Sequence, residues 1–220
     1  MKHRFFFTFF GALALLTGSH VASAQTTAAP HRSDAWGTAT TMTAVGALGT
    51  QLFMPRVFYA DPEVTVGWKA RWHVSALAPV MTLTSLALLN EYGLKDKFEG
   101  FRPGCDATNQ GGPGCKTYGN LSTHSFAAFS AFGQGTGVFL VDTFKWSDGR
   151  FNIGGFAGNV VLPLTLAVIT GIGRSSGDYE TGGQIVAGGG LGLASGLVTG
   201  LVYGLMQRPE CGYSGSLVCW

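Results

Sequence analysis

The residues best suited to chemistry lie in three short stretches of the 220-residue chain. Lys95 is followed, after six intervening residues, by Arg102-Pro103. Asn120-Leu121-Ser122-Thr123-His124-Ser125 opens a charge-free run, so it stands where a helix would begin, and Ser122 is a good N-cap residue. Gly173-Arg174 closes another apolar run just before a glycine-rich one. The free N–H groups and the dipole of a helix start favour an anion. A histidine in that first turn can give a proton to whatever anion binds there. Lys and Arg at neighbouring helix ends would complete a cradle for a phosphoryl group. Each residue also has a plainer reading. Lys95 and Lys97 suit a membrane edge as snorkelling anchors, Arg102-Pro103 suits a turn, and Ser122 suits a cap alone. His124 suits a structural hydrogen bond, and Arg174 with Glu180 a loop ion pair. It is the joint order that favours the functional reading.

In that order and spacing the three stretches resemble the signature of the type 2 phosphatidic acid phosphatase and vanadium haloperoxidase superfamily. That signature reads Lys-x6-Arg-Pro, then Pro-Ser-Gly-His, then Ser-Arg-x5-His-x3-Asp. Lys95, Arg102 and Pro103 match the first part. Ser122 and His124 match the second, with Leu121 for Pro and Thr123 for Gly, and Arg174 matches the third, with Gly173 for Ser. Glu180 stands where the family has its nucleophilic His, and Gln184 where it has the Asp that orients that His. The resemblance runs from Ala76 to Gly204.

The resemblance implies an all-α bundle of five or six helices. It implies phosphate binding by Lys95, Arg102, Ser122, Thr123 and Arg174, with His124 as general acid. The implied partner is a phosphorylated lipid or another phosphate ester, and no cofactor is implied. In the family the third-motif His attacks phosphorus; Glu180 cannot copy a neutral imidazole, and as a carboxylate it would repel phosphate and pair with Arg174. A carboxylate can in principle serve as a nucleophile, but the expectation here is a phosphate site with weak or no turnover. His31 and His73 are poorly placed to substitute. No His, Asp, Glu or Cys cluster has metal-ligand spacing.

The elements that must position these residues are announced by what the chain lacks. Five windows contain no Asp, Glu, Lys or Arg: Ala35–Pro55, Trp72–Asn90, Thr117–Val141, Phe151–Gly173 and Thr181–Gln207. Each is near the length that crosses a bilayer as a helix, and none alternates with the period of two that a strand needs. Charged residues are only 12% of the chain, about half the usual share of a soluble protein. Net charge is +2, which gives no electrostatic case for nucleic acid. Residues 1–24 read as a signal peptide, with Lys2, His3 and Arg4 before an apolar core and Ala22-Ser23-Ala24 at the cleavage position. An uncleaved first transmembrane helix is the alternative. Residues 25–220 read as one domain.

In the last window Gly188, Gly192, Gly196, Gly200 and Gly204 recur every four residues. On a helix they form one smooth stripe for close approach of another backbone. In water five interior glycines would cost about 4–5 kcal/mol against alanine, so a bilayer or a tightly packed neighbour is their natural setting. With the N-terminus outside, the windows put Arg56, Lys69, Arg71, Lys145, Arg150 and Arg208 inside, in keeping with the positive-inside rule. All three motif segments then share the outer face, toward the periplasm of a bacterial-type envelope. Cys105 and Cys115 flank a Gly/Pro loop on that face and suit a disulfide. Cys211 and Cys219 would lie on the reducing side; a disulfide between them would instead favour a soluble periplasmic helical domain, which the superfamily also contains. A membrane protein built structurally on the glycine stripe is the third reading.

Overall fold

The computed structural model describes residues 32–53, 77–95, 97–98, 100–116 and 118–206. Expectations for residues 1–24, for His31 and His73, and for Cys211 and Cys219 lie outside the described residues. The described chain is all helical. Its five helices are α1 (Asp34–Phe53), α2 (Leu77–Leu89, extended by a π-helical turn over Asn90–Leu94), α3 (Thr123–Val141, extended likewise over Asp142–Trp146), α4 (Ile153–Ser176) and α5 (Gly182–Met206).

Each charge-free window supplies most of one helix. The third starts later than its window because the chain first makes a turn: Gly119 N–H donates to Gly100 O (2.8 Å) and Leu121 takes a left-handed backbone (φ 55°). Ser122 then caps α3 by accepting from Ser125 N–H (3.2 Å), and Asn152 caps α4 by accepting from Gly155 N–H (3.0 Å). α4 widens to a π-helical turn at Ala157–Val161, just ahead of Pro163. Proline cannot donate to the carbonyl four residues back and its ring crowds that carbonyl, so a locally widened turn is the expected accommodation. That carbonyl belongs to Asn159, and Gly135 of α3 packs against it so closely that a Cβ there would collide with it.

The helices run alternately up and down. The start of α1, the end of α2, the start of α3, the end of α4 and the start of α5 meet at one end, tied by Thr41–His124, Asn90–Leu121 and Tyr179–Ser33 contacts. The closest helix pair is α3 with α5. Gly188, Gly192, Gly196 and Gly200 each press against the backbone of Ser122, Phe126, Ser130 and Gln134 in turn, and Gly204 against the Val141 side chain. Gly133 and Gly137 of α3 reciprocate against Leu193 and Leu197 of α5. The stripe is therefore occupied within the chain.

The interior mixes apolar and polar side chains. Ala44, Ala47, Ala87, Phe126, Ala127, Ala128, Ala131 and Ala167 form the main core cluster. Thr40, Gln51, Ser130, Gln134, Asn159 and Thr170 are buried with them. Met42, Val45, Met81, Ile153, Ile172 and Val198 are each more than half exposed on the flanks. α4 and α5 are both long and apolar enough to cross a membrane.

Candidate functional site

The end of the bundle where five helix termini meet holds every described residue that the sequence nominated for phosphate chemistry. The first group comes from α2. Its terminal π-helical turn ends with Lys95 N–H on Asn90 O (3.2 Å). This sets Lys95 Nζ 2.5 Å from Glu91 Oε2, and the lysine is buried. Thr123 Oγ1 donates to the same Glu91 oxygen (2.5 Å). Asn90 Nδ2 donates to Leu121 O (2.9 Å) and Thr123 Oγ1 (3.1 Å), clamping the end of α2 to the start of α3. Burial pushes the Glu91 carboxyl up, but hydrogen bonds from Lys95 and Thr123 outweigh it and hold the group below its usual range.

The second group is the loop that carries Arg102. Cys105 and Cys115 lie at disulfide distance, with Cα atoms 5.7 Å apart, and Cys105 N–H donates to Arg102 O (2.9 Å), so the crosslink pins the segment beside the arginine. From α5, Gln184 Nε2 donates to Phe101 O (3.0 Å) while its Oε1 accepts from Thr181 N–H (2.9 Å). Gly119 is required where it sits, because a Cβ would meet both the Arg102 side chain and the Gln184 amide at 2.8 Å. Gln184 therefore fastens the Arg102 loop to the start of α5 through backbone groups.

The third group decides the character of the site. Arg174, in the last turn of α4, donates from Nη2 to Glu180 Oε1 (2.9 Å) and from Nε to Glu180 Oε2 (3.1 Å). This is the fork-to-fork pairing that matches guanidinium to carboxylate. Ser122 Oγ contacts the same Oε2. A carboxylate can only accept, so Ser122 gives its single proton to Glu180, and Ser125 Oγ stands 2.9 Å from Ser122 Oγ. Arg174 is 3% exposed and Glu180 1%. The loop reaches this geometry through Gly177 and a left-handed Asp178 (φ 56°), with Tyr179 N–H on Arg174 O (3.1 Å). Burial alone raises the Glu180 carboxyl; hydrogen bonding and charge from Arg174, then Ser122, overcome it and hold the group ionised below its ordinary value. Both Glu180 oxygens are thus engaged by Arg174 and Ser122, and the nucleophile position holds a carboxylate in structural contacts.

His124 stands in the first turn of α3, at the open polar end. Its Nε2 is 3.1 Å from Thr41 Oγ1, and Thr41 gives its proton to Gly37 O (2.9 Å). The ring therefore donates from Nε2, and Nδ1, which is buried without a hydrogen-bond partner, carries the lone pair. Burial first, then the Arg174 charge, depresses its pKa to about 4. At neutral pH the ring holds no spare proton, so in this state it is not poised as a general acid.

Four participants had no sequence signal strong enough to nominate them: Glu91, Asn90, Thr41 and Arg32. Only Glu91 left a trace, in its i, i+4 spacing from Lys95. Arg32 precedes α1, half-buried, with its guanidinium carbon 5.8 Å from the centre of the Tyr179 ring; Arg174 lies 4.4 Å from the same ring. Among the described residues no group of three or more His, Cys, Asp or Glu side chains is placed to hold a metal. Comparisons with protein-family models, curated proteins and solved structures returned no match.

Proposed function

We propose that this chain is a membrane-embedded relative of the type 2 phosphatidic acid phosphatases that keeps an anion-binding site but does not turn over phosphate esters. One observation carries the reading: the Glu180 carboxylate lies bidentate on Arg174 and accepts from Ser122, where the resemblance would put a phosphoryl group. The cation and the hydroxyl that would hold nonbridging oxygens hold a built-in anion instead. Phosphoryl transfer rests chiefly on positioning and charge stabilisation, and both are directed here at a side chain. Lys95 and Thr123 are engaged by Glu91 in the same manner.

The membrane setting is supported by the inverted distribution of side chains. Amides and hydroxyls share the interior with small and aromatic apolar side chains, and Met, Ile and Val cover the flanks. Only 39% and 28% of the apolar windows of α4 and α5 are buried inside the bundle, where the core helix of a soluble protein would be mostly buried. Exposed apolar area on this scale needs a covering. In this reading the site end faces the exported side. A purely structural role for the glycine stripe is less favoured, since the stripe packs against α3 of the same chain.

The test is phosphate release from a panel of lipid mono- and diphosphates by purified protein. Wild type is expected at background, and Glu180→His with Gln184→Asp above it. The gain will be limited, because Asp at 184 cannot donate to Phe101 O. Wild-type turnover at an ordinary enzymatic rate (about 1–10³ s⁻¹), abolished by His124→Ala, would overturn the reading.

A further inference from the structure

Arg32 is the cation at this end of the bundle that the three-part motif does not include. Its neighbours are an aromatic face, a sulfur atom and other cations. The guanidinium approaches the Tyr179 ring at 5.8 Å, and Nη2 reaches Cys105 Sγ only at 4.0 Å. Its Nε is buried without a hydrogen-bond partner. Among the described residues no carboxylate pairs with it, whereas Lys95 and Arg174 each have one. Burial and the charges of Arg102 and Arg174 act against its protonated form and outweigh Tyr179 and Glu180, which act for it. A half-buried guanidinium facing like charges is costly unless an anion sits with it. Tyr179 OH donates to Ser33 O (3.1 Å), which holds the Arg32 segment over the site.

From this placement we infer that Arg32 forms, with the Arg102 edge of the site, a second anion subsite that takes a phosphate monoester group while Glu180 stays on Arg174. The inference rests on reading this end as an anion site, and it names what the site binds and which residue outside the motif selects it. The ligand lies beside the carboxylate plug and does not displace it. A planar guanidinium suits two oxygens of one phosphoryl group. Free phosphate and a lipid phosphate headgroup offer that same chemistry.

The experiment titrates detergent-purified full-length protein with inorganic phosphate by calorimetry. A second arm uses nanodiscs of phosphatidylcholine with or without a lipid phosphomonoester. Wild type should bind phosphate, and Arg32→Gln should weaken binding about tenfold or more, as expected for loss of a charge-assisted pair. Arg32→Lys, which keeps the charge and loses the fork, should fall between them. Weaker apparent phosphate binding in phosphomonoester nanodiscs, where the headgroup competes for the subsite, assigns the subsite to lipid, and equal binding assigns it to free phosphate. No binding by wild type, or an affinity unchanged in Arg32→Gln, overturns the inference. If Glu180→Ala alone binds phosphate, the subsite is wrong while the plugged site stands. If wild type hydrolyses the ester, it is the parent reading that fails.

Discussion

Glu180 acts as a resident ligand, so removing it should expose both a debt in stability and a vacancy for phosphate. In Glu180→Ala the Arg174 guanidinium, whose side chain is 4% exposed, loses its only carboxylate among the described residues. Breaking a buried pair from one side costs about 3–5 kcal/mol, because the other charge stays buried and unpaired. For a chain of this size about 2–4 °C of melting temperature follows each kcal/mol, so the variant should melt roughly 6–20 °C lower in detergent. Phosphate offers oxygen acceptors to Arg174 Nε and Nη2 and to Ser122 Oγ. At 100 times its dissociation constant it returns about 2.7 kcal/mol. The assay is thermal unfolding followed by intrinsic fluorescence, with phosphate titrated at constant ionic strength against chloride. The phosphate shift should be larger for Glu180→Ala than for wild type. Arg174→Gln with Glu180→Gln, which removes both charges, should be less destabilised than Glu180→Ala and should lose that extra shift. Equal phosphate shifts in wild type and Glu180→Ala, or no loss of stability in the variant, would refute the resident-anion argument.

Three further outcomes follow from the same geometry. The unfolded His124 titrates near 6.5 and the folded ring near 4, so between those values the unfolded chain takes up a proton that the folded chain refuses. Stability should fall as pH falls across that window, by up to about 3 kcal/mol, and melting curves from pH 7 to 4 should show a shallower fall for His124→Gln. Glu180, depressed below its ordinary value, adds a loss lower still. A Cβ at Gly196 would strike the Ser130 backbone, whereas one at Gly190 meets nothing within 4 Å. Gly196→Ala should therefore destabilise by about 1–3 kcal/mol and Gly190→Ala stabilise by about 0.8–1 kcal/mol; opposite signs in paired melts are the check. Peptide mapping without reduction should recover Cys105 and Cys115 linked, and reduction should cost about 3 kcal/mol for a closed loop of this length.

The helices were legible because charge is absent from whole windows and concentrated between them, and each window supplies most of one helix. Positions at helix ends were legible too, since Ser122 caps α3 and Arg174 sits in the last turn of α4 by local rules. The partner of the glycine stripe was not legible. Its four-residue period marked a face on α5, but the surface it meets is the backbone at Ser122, Phe126, Ser130 and Gln134, and side-chain identity in α3 does not advertise a carbonyl.

The site divides along the same line. Lys95, Arg102, Ser122, His124 and Arg174 could be nominated by order and spacing, and the Arg174–Glu180 pair by charge, because the two lie within one short loop. What surrounds them depends on contacts distant in sequence. Thr41 reaches His124 across 83 positions, and Gln184 reaches Phe101 across a similar span. Those contacts change the chemistry more than the nominated residues do. Thr41 leaves His124 donating through Nε2 rather than poised with a spare proton, and Gln184 turns the orienting position into a fastener for the Arg102 loop. Glu91 and Glu180 then answer Lys95 and Arg174 with charges from the chain itself. A set of cations that looks on paper like a receptor for phosphate becomes, once its neighbours are counted, a receptor already half filled. The affinity that remains for an outside anion lies beside Arg32, with which no carboxylate pairs among the described residues.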